Sequence, residues 1–226
     1  AGDSGATIVT RAAAAGWRTD GALFTHVGSA PTTRGALEVH AAQLQRTARS
    51  AGLDVLVGMH NDRMVAIVSG VAADGSLTEA ARPLVGHFGA GPVVAGPLVA
   101  DPADLPASAH AALSGYAAAG LTRTHHRLIL PDEVIAARVL DGDPAAADPV
   151  VARLTDLRPD VLDTLAAFLE HSTTIEGCAR TQFIHVNTVR YRLRQVANIT
   201  GLDPMEPGDA FTLRIGLILG RKAGVL

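Results

Sequence analysis

Between residues 186 and 196 the apolar side chains Val186, Val189, Leu193 and Val196 recur at alternating intervals of three and four. Asn187, Arg190, Tyr191 and Arg194 keep the same kind of spacing one step out of phase. Only a helical period of 3.6 residues places the first set on one side and the second on the other. The segment must therefore form a helix, over about 186–197, with its apolar stripe on a small core and its cationic face outward. A fold has no need of that outward face.

The residues before it supply the rest of a two-helix unit. Thr173 stands three residues ahead of Glu176, the spacing of a reciprocal capping box, which predicts a short helix through Ile175, Cys178 and Ala179. Gln182 to Ile184 reads as a turn, and the second helix starts at about His185. Ala179 is small where the two helices would cross, and Val189 is placed to pack beneath it. Two short helices so joined form the outline of a helix-turn-helix DNA-binding module. The exposed residue types suit the major groove: arginine can donate twice to guanine, and asparagine can pair with adenine. Asn187, Thr188, Arg190, Tyr191 and Arg194 are therefore the candidate reading face, with Tyr191 able to reach a phosphate or a thymine methyl. Arg180 and Arg192 are expected at phosphates, with the amides at the helix starts. Gly177–Leu202 contains neither aspartate nor glutamate. The competing readings are a solvated arginine-rich face, or a module whose positive helix contacts a protein or whose α/β part binds a small molecule.

Overall charge excludes a general polycation: the 226 residues carry a net charge of −3. Residues 1–150 hold 10 basic and 14 acidic side chains, and 151–226 hold 9 and 8, which together make the 19 and 22 of the whole chain. Cys178 is the single cysteine, so no internal disulfide can form, and no cysteine–histidine set has zinc-finger spacing. No apolar run reaches membrane-helix length and the N-terminus lacks signal-peptide features, so a cytoplasmic location is expected. The chain does not begin with methionine and reads as part of something longer.

Length and patterning together predict two domains in an α+β arrangement, divided near residue 150. Residues 1–150 alternate short apolar runs with amphipathic stretches, the pattern of an α/β domain with a mixed sheet. Four or five strands are expected: Ala22–Val27, Asp54–Met59, Met64–Val68 and Pro92–Ala95, with Leu128–Leu130 as the fifth, and helices at Gly35–Ser50 and Leu105–Ala119. His60 to Arg63 reads as a hairpin turn. Pro131–Leu157 reads as a helical connector broken at Asp141–Pro144. Residues 151–226 read as wholly helical. A helix capped by Asp160 should bury Val161, Leu165, Phe168 and Leu169, and a last helix over Ala210–Leu219 carries Phe211, Leu213, Ile215, Leu217 and Ile218 toward the core.

Other features are read structurally. His125 and His126 are adjacent and diverge in either a strand or a helix, which disfavours joint metal binding. Cys178 lies on a face expected to be buried. Gly89, Gly91 and Gly96 match neither nucleotide-loop pattern, and Asp101, Asp104, Asp132 and Glu133 fit helix starts. No nucleophile with a base, paired carboxylates or metal set emerges, so no enzyme activity, catalytic residue, cofactor or metal is expected.

The run His185 to Arg194, followed by Thr200, Gly201, Leu202 and Asp203, resembles the C-terminal helix-turn-helix of the PucR/CdaR family of bacterial regulators. With Leu162–Leu169 and the apolar helix after Pro207, the resemblance covers roughly residues 158–220. Val186 departs from the proline common there, at a helix-start position where proline merely fits well. The preceding region is similar to the GGDEF-like domain that family members carry. Its hairpin, Met59 to Arg63, lacks the glycine pair and adjacent carboxylates of an active cyclase. The resemblance implies a regulator of metabolic genes that binds double-stranded DNA as a homodimer or higher homo-oligomer and answers to a small-molecule effector.

Overall fold

In the computed structural model, residues 16–18, 20–32, 36–122, 126–172 and 174–226 are described. Contacts divide the chain into two compact units, Ala1–Asp141 and Gly142–Leu226, a division that falls ahead of the position near 150 expected from sequence.

The first unit is built on a five-stranded mixed sheet in the order β2-β3-β1-β4-β5. Its strands are β1 (Ala22–Ser29), β2 (Asp54–His60), β3 (Arg63–Val71), β4 (Val93–Ala95) and β5 (Leu128–Ile129), antiparallel except for the β4–β5 pair. Helix α1 (Ala36–Ser50) covers one face and α3 (Leu105–Ala119) the other, while the short α2 (Leu77–Ala81) follows β3. β1 is central, so both its faces are buried and its sequence lacks the polar alternation of a half-exposed strand. Phe24 enters a core with Leu44 and Ala48 of α1, whereas Leu23 packs with Leu105 of α3. The Thr25 amide donates to the Ser108 hydroxyl of α3 at 3.1 Å. Gly96 permits that approach, because a Cβ there would run into the Ser108 carbonyl oxygen. The β2–β3 turn is tight: His60 pairs with Arg63, and Asn61 adopts φ 56°, a left-handed conformation asparagine tolerates.

Helix α4 (Ile135–Leu140) ends at the expected break, where Gly142 has φ 90°. The second unit contains α5 (Ala147–Thr155), α6 (Pro159–Ala167), a π-helical turn at Phe168–Ser172, α7 (Ile175–Gln182), α8 (Val186–Thr200) and α9 (Pro207–Ala223). One core joins all five helices, including Leu154, Leu165, Cys178, Val189, Leu193 and Leu213. At Gly216 a Cβ would stand 2.8 Å from the Leu154 side chain, which sets how closely α9 approaches α5.

Two expectations about this unit need correction. The N-cap of α6 is Arg158, with Pro159 in the first turn; Asp160 lies inside the helix and pairs with Arg158 at 3.1 Å. Proline at the first helical position, with its fixed φ, sets the start here. On α9 the core takes Leu213 and Leu217, one turn apart, which rotates Phe211 and Ile218 into solvent.

His26 of β1 is fully buried between the Phe24 and Phe88 rings, with centroids 5.0 and 5.6 Å away. Neither ring nitrogen has a hydrogen-bond partner among the described residues. Burial disfavours the charged ring and pushes its pKa down to about 3. The unfolded chain therefore binds the extra proton first, and stability falls as pH drops from about 6.5 toward 3, by up to about 1.4 kcal/mol per pH unit. Urea unfolding followed through Trp17, buried in this unit, is expected to show a shallower acid limb in His26→Leu than in the wild type; parallel limbs would contradict this account.

Candidate nucleic-acid interface

Helix α7 begins at Thr174, whose hydroxyl accepts from the Gly177 amide at 3.1 Å. Thr173, the cap expected from sequence, lies outside the described residues; with Thr174 in the capping position, Glu176 is one place short of where a carboxylate reaches back to the cap. Cys178 and Ala179 are buried, and the Cys178 thiol faces the Thr164 carbonyl at 3.7 Å, with burial raising its pKa. The helix ends in a Schellman arrangement: the Ile184 amide donates to Ala179 O at 3.1 Å and the Phe183 amide to Arg180 O at 3.3 Å. That motif needs a left-handed residue, usually glycine, but Phe183 holds the position at φ 54° with 95% of its surface exposed. The turn falls within the Gln182 to Ile184 expected from sequence, but the left-handed role of Phe183 was not legible there, because an aromatic residue gives no such signal.

His185 caps α8, its Nδ1 accepting from the Asn187 amide at 3.1 Å. Imidazole is outside the usual set of capping side chains, so the cap was not legible in advance. Val189, Leu193 and Val196 are buried, Val186 is half-buried, and Asn187, Arg190, Tyr191 and Arg194 are exposed. Thr188 is half-buried beside them. Within the exposed face the Arg190 Nη1 donates to Asn187 Oδ1 at 3.3 Å, and Gln195 Nε2 donates to the Tyr191 hydroxyl at 3.3 Å. Arg190 Nη2 also lies 3.7 Å from a Glu176 carboxylate oxygen. Arg180 is exposed on α7, and with Phe183 and His185 it lines an open depression beside the start of α8.

Arg192 is set apart from the other arginines. Its guanidinium turns toward α6, donating to the Thr164 hydroxyl at 3.0 Å and pairing with Asp160 at 2.9 Å, with the side chain only 20% exposed. Both partners are more than twenty-five residues away in sequence, beyond the reach of any local pattern.

In the first unit the hairpin tip presents Met59, His60, Asn61 and Asp62, all exposed. Among the described residues no group of three or more histidine, cysteine, aspartate or glutamate side chains could hold a metal, and no helix is long and apolar enough to cross a membrane. His125 lies outside the described residues; His126 pairs with Glu133 at 2.6 Å.

Comparison with known families separates the chain into the same two modules. Residues 161–219 match the PucR C-terminal helix-turn-helix domain, and residues 1–118 match a GGDEF-like domain. The chain belongs to the PucR/CdaR family. Two uncharacterized relatives, from Mycobacterium bovis and Mycobacterium tuberculosis, are 36% identical over 97% of this chain, which spans 55% of the length of each. Among solved structures, a regulator of polyketide synthase expression from Bifidobacterium adolescentis superposes with a TM-score of 0.82 at 24% identity, over 96% of this chain and 86% of that one. This likeness concerns the fold, and it extends across both the sheet-based unit and the helical unit.

The two kinds of arginine should separate in stability measurements. Arg192→Ala removes charge-assisted bonds from a mostly buried position and is expected to cost about 1–3 kcal/mol in chemical unfolding. Arg190→Ala and Arg194→Ala, at exposed positions, should stay within about 0.5 kcal/mol of the wild type. Equal losses in all three would remove the distinction.

Proposed function

We propose that this PucR/CdaR family member is a sequence-specific DNA-binding transcription regulator that lays α8 in the major groove of duplex DNA. The observation that carries the reading is the separation of faces on α8. Val189, Leu193 and Val196 supply the packing, which leaves Asn187, Arg190, Tyr191 and Arg194 outward on the second helix of a helix-turn-helix. Asn187, Arg190 and Arg194 are the base-reading side chains, at about 1–3 kcal/mol of discrimination for each good bidentate pair. Tyr191 and Thr188 border them and meet a phosphate or a thymine methyl. Arg180, with the free amides at the helix starts, holds phosphates and positions the module without reading sequence. Arg192 serves from behind, fixing α8 against α6 through Asp160 and Thr164.

Half-site logic calls for a homodimer or higher homo-oligomer on paired sites about one helical turn apart. The GGDEF-like unit, whose hairpin tip carries neither glycine pair nor adjacent carboxylates, serves assembly or the relay of a small-molecule effector signal rather than nucleotide cyclisation. Control of metabolic genes is the physiological role this reading assigns to it.

Selection of bound duplexes from random sequence is expected to enrich a motif with the wild type and none with an Asn187→Ala, Arg190→Ala, Arg194→Ala variant that unfolds at the same temperature. Arg190→Ala alone should relax preference at one base position, whereas Arg180→Ala should weaken binding evenly across sequences. Affinity should fall steeply with salt, with a slope in log K of about −0.9 for each phosphate contacted. A motif retained by the triple variant, or binding indifferent to salt, would overturn the reading in favour of a protein-contacting helix.

A further inference from the structure

Glu176 is the only carboxylate between Thr174 and Leu202, and it lies beside the cationic face of α8. Capping does not explain it, since Thr174 closes the start of α7 through the Gly177 amide. Its carboxylate instead stands 3.7 Å from Arg190 Nη2, while Arg190 Nη1 donates to Asn187 Oδ1 at 3.3 Å. The guanidinium of Arg190 is thus held from two sides, by a residue of its own helix and by one on the helix before it.

A carboxylate at such a place opposes phosphate binding, because it subtracts one charge from a surface that gains affinity by displacing counterions. An unrestrained arginine samples many rotamers and loses that freedom on contacting a base; a guanidinium already oriented loses less and tolerates fewer alternative contacts. We propose that Glu176 is a positioning residue of the reading face, orienting Arg190 together with Asn187, so that it raises base discrimination at the position Arg190 contacts while lowering overall affinity for DNA. This rests on the DNA-binding reading above. It assigns Glu176 no contact with the bases; it acts through Arg190.

The opposed signs make the test specific. Selection from random duplexes and titration of a fixed non-specific duplex would be run on the full chain as wild type, Glu176→Ala, Glu176→Gln, Arg190→Ala and the Glu176→Ala, Arg190→Ala pair. Glu176→Ala is expected to bind the non-specific duplex more tightly, yet to lose about fivefold or more of the preference at a single base position. Glu176→Gln should bind as tightly as the alanine variant and lose most of the same preference, because a contact at 3.7 Å is ionic and the neutral amide does not supply it. With Arg190 already replaced, Glu176→Ala should raise affinity and leave the remaining preferences unchanged. A wild-type motif that survives Glu176→Ala at full strength, or a preference kept in full by the glutamine variant, would overturn the positioning role alone. No motif from the wild type would overturn the DNA reading and this inference with it.

Discussion

Burial of one side of α8 is the constraint on which the rest of the second unit depends. Val189, Leu193 and Val196 enter a core shared with α5, α6, α7 and α9, and a helix so anchored has no freedom to turn. Fixing the apolar stripe fixes the opposite face with it. The outward set of Asn187, Arg190, Tyr191 and Arg194 is thus a by-product of packing, and the chain has equipped it with side chains that packing does not require. The helix ahead is held to the same core by Cys178 and Ala179, so the turn between them is constrained at both ends.

That turn concentrates the local cost of the module. Phe183 keeps a left-handed backbone that glycine would adopt without strain, roughly a 1–3 kcal/mol burden for a side chain with a Cβ. The next helix starts on a histidine cap rather than on a serine, threonine or aspartate. Both departures lie beside the proposed interface, where local rules are most often broken for function. Around them the arginines divide by environment. Arg192 is tied to Asp160 and Thr164, Arg190 is shared by Asn187 and Glu176, and Arg194 stands outward on α8.

The first unit obeys a different logic. A central strand buried on both faces must place every side chain against a helix, and β1 does so with Phe24 and His26 on one side and Leu23 and Thr25 on the other. The ring of His26, without a hydrogen-bond partner among the described residues, is the cost of that position, borne as a pH-dependent loss of stability. At the hairpin the family likeness and the residues part company. The fold supplies a β2–β3 turn, but Met59, His60, Asn61 and Asp62 carry neither a glycine pair nor adjacent carboxylates there.

Sequence alone determined the elements whose signal is local. The span of α3, the five strands, the β2–β3 turn, the break at Asp141–Pro144 and the two faces of α8 all follow from periodicity and turn chemistry within a few residues. Tertiary structure decided what lies between distant segments. Whether Arg192 faces solvent or Asp160, and whether Phe211 or Leu213 of α9 enters the core, depends on neighbours supplied by other helices. So does the fate of Glu176, which sequence spacing assigned to a cap and the fold turned toward Arg190. Hydrophobic period fixes which residues share a face, because backbone geometry sets it. The partner that the face meets is set by chain folding, and no spacing within a single element encodes it.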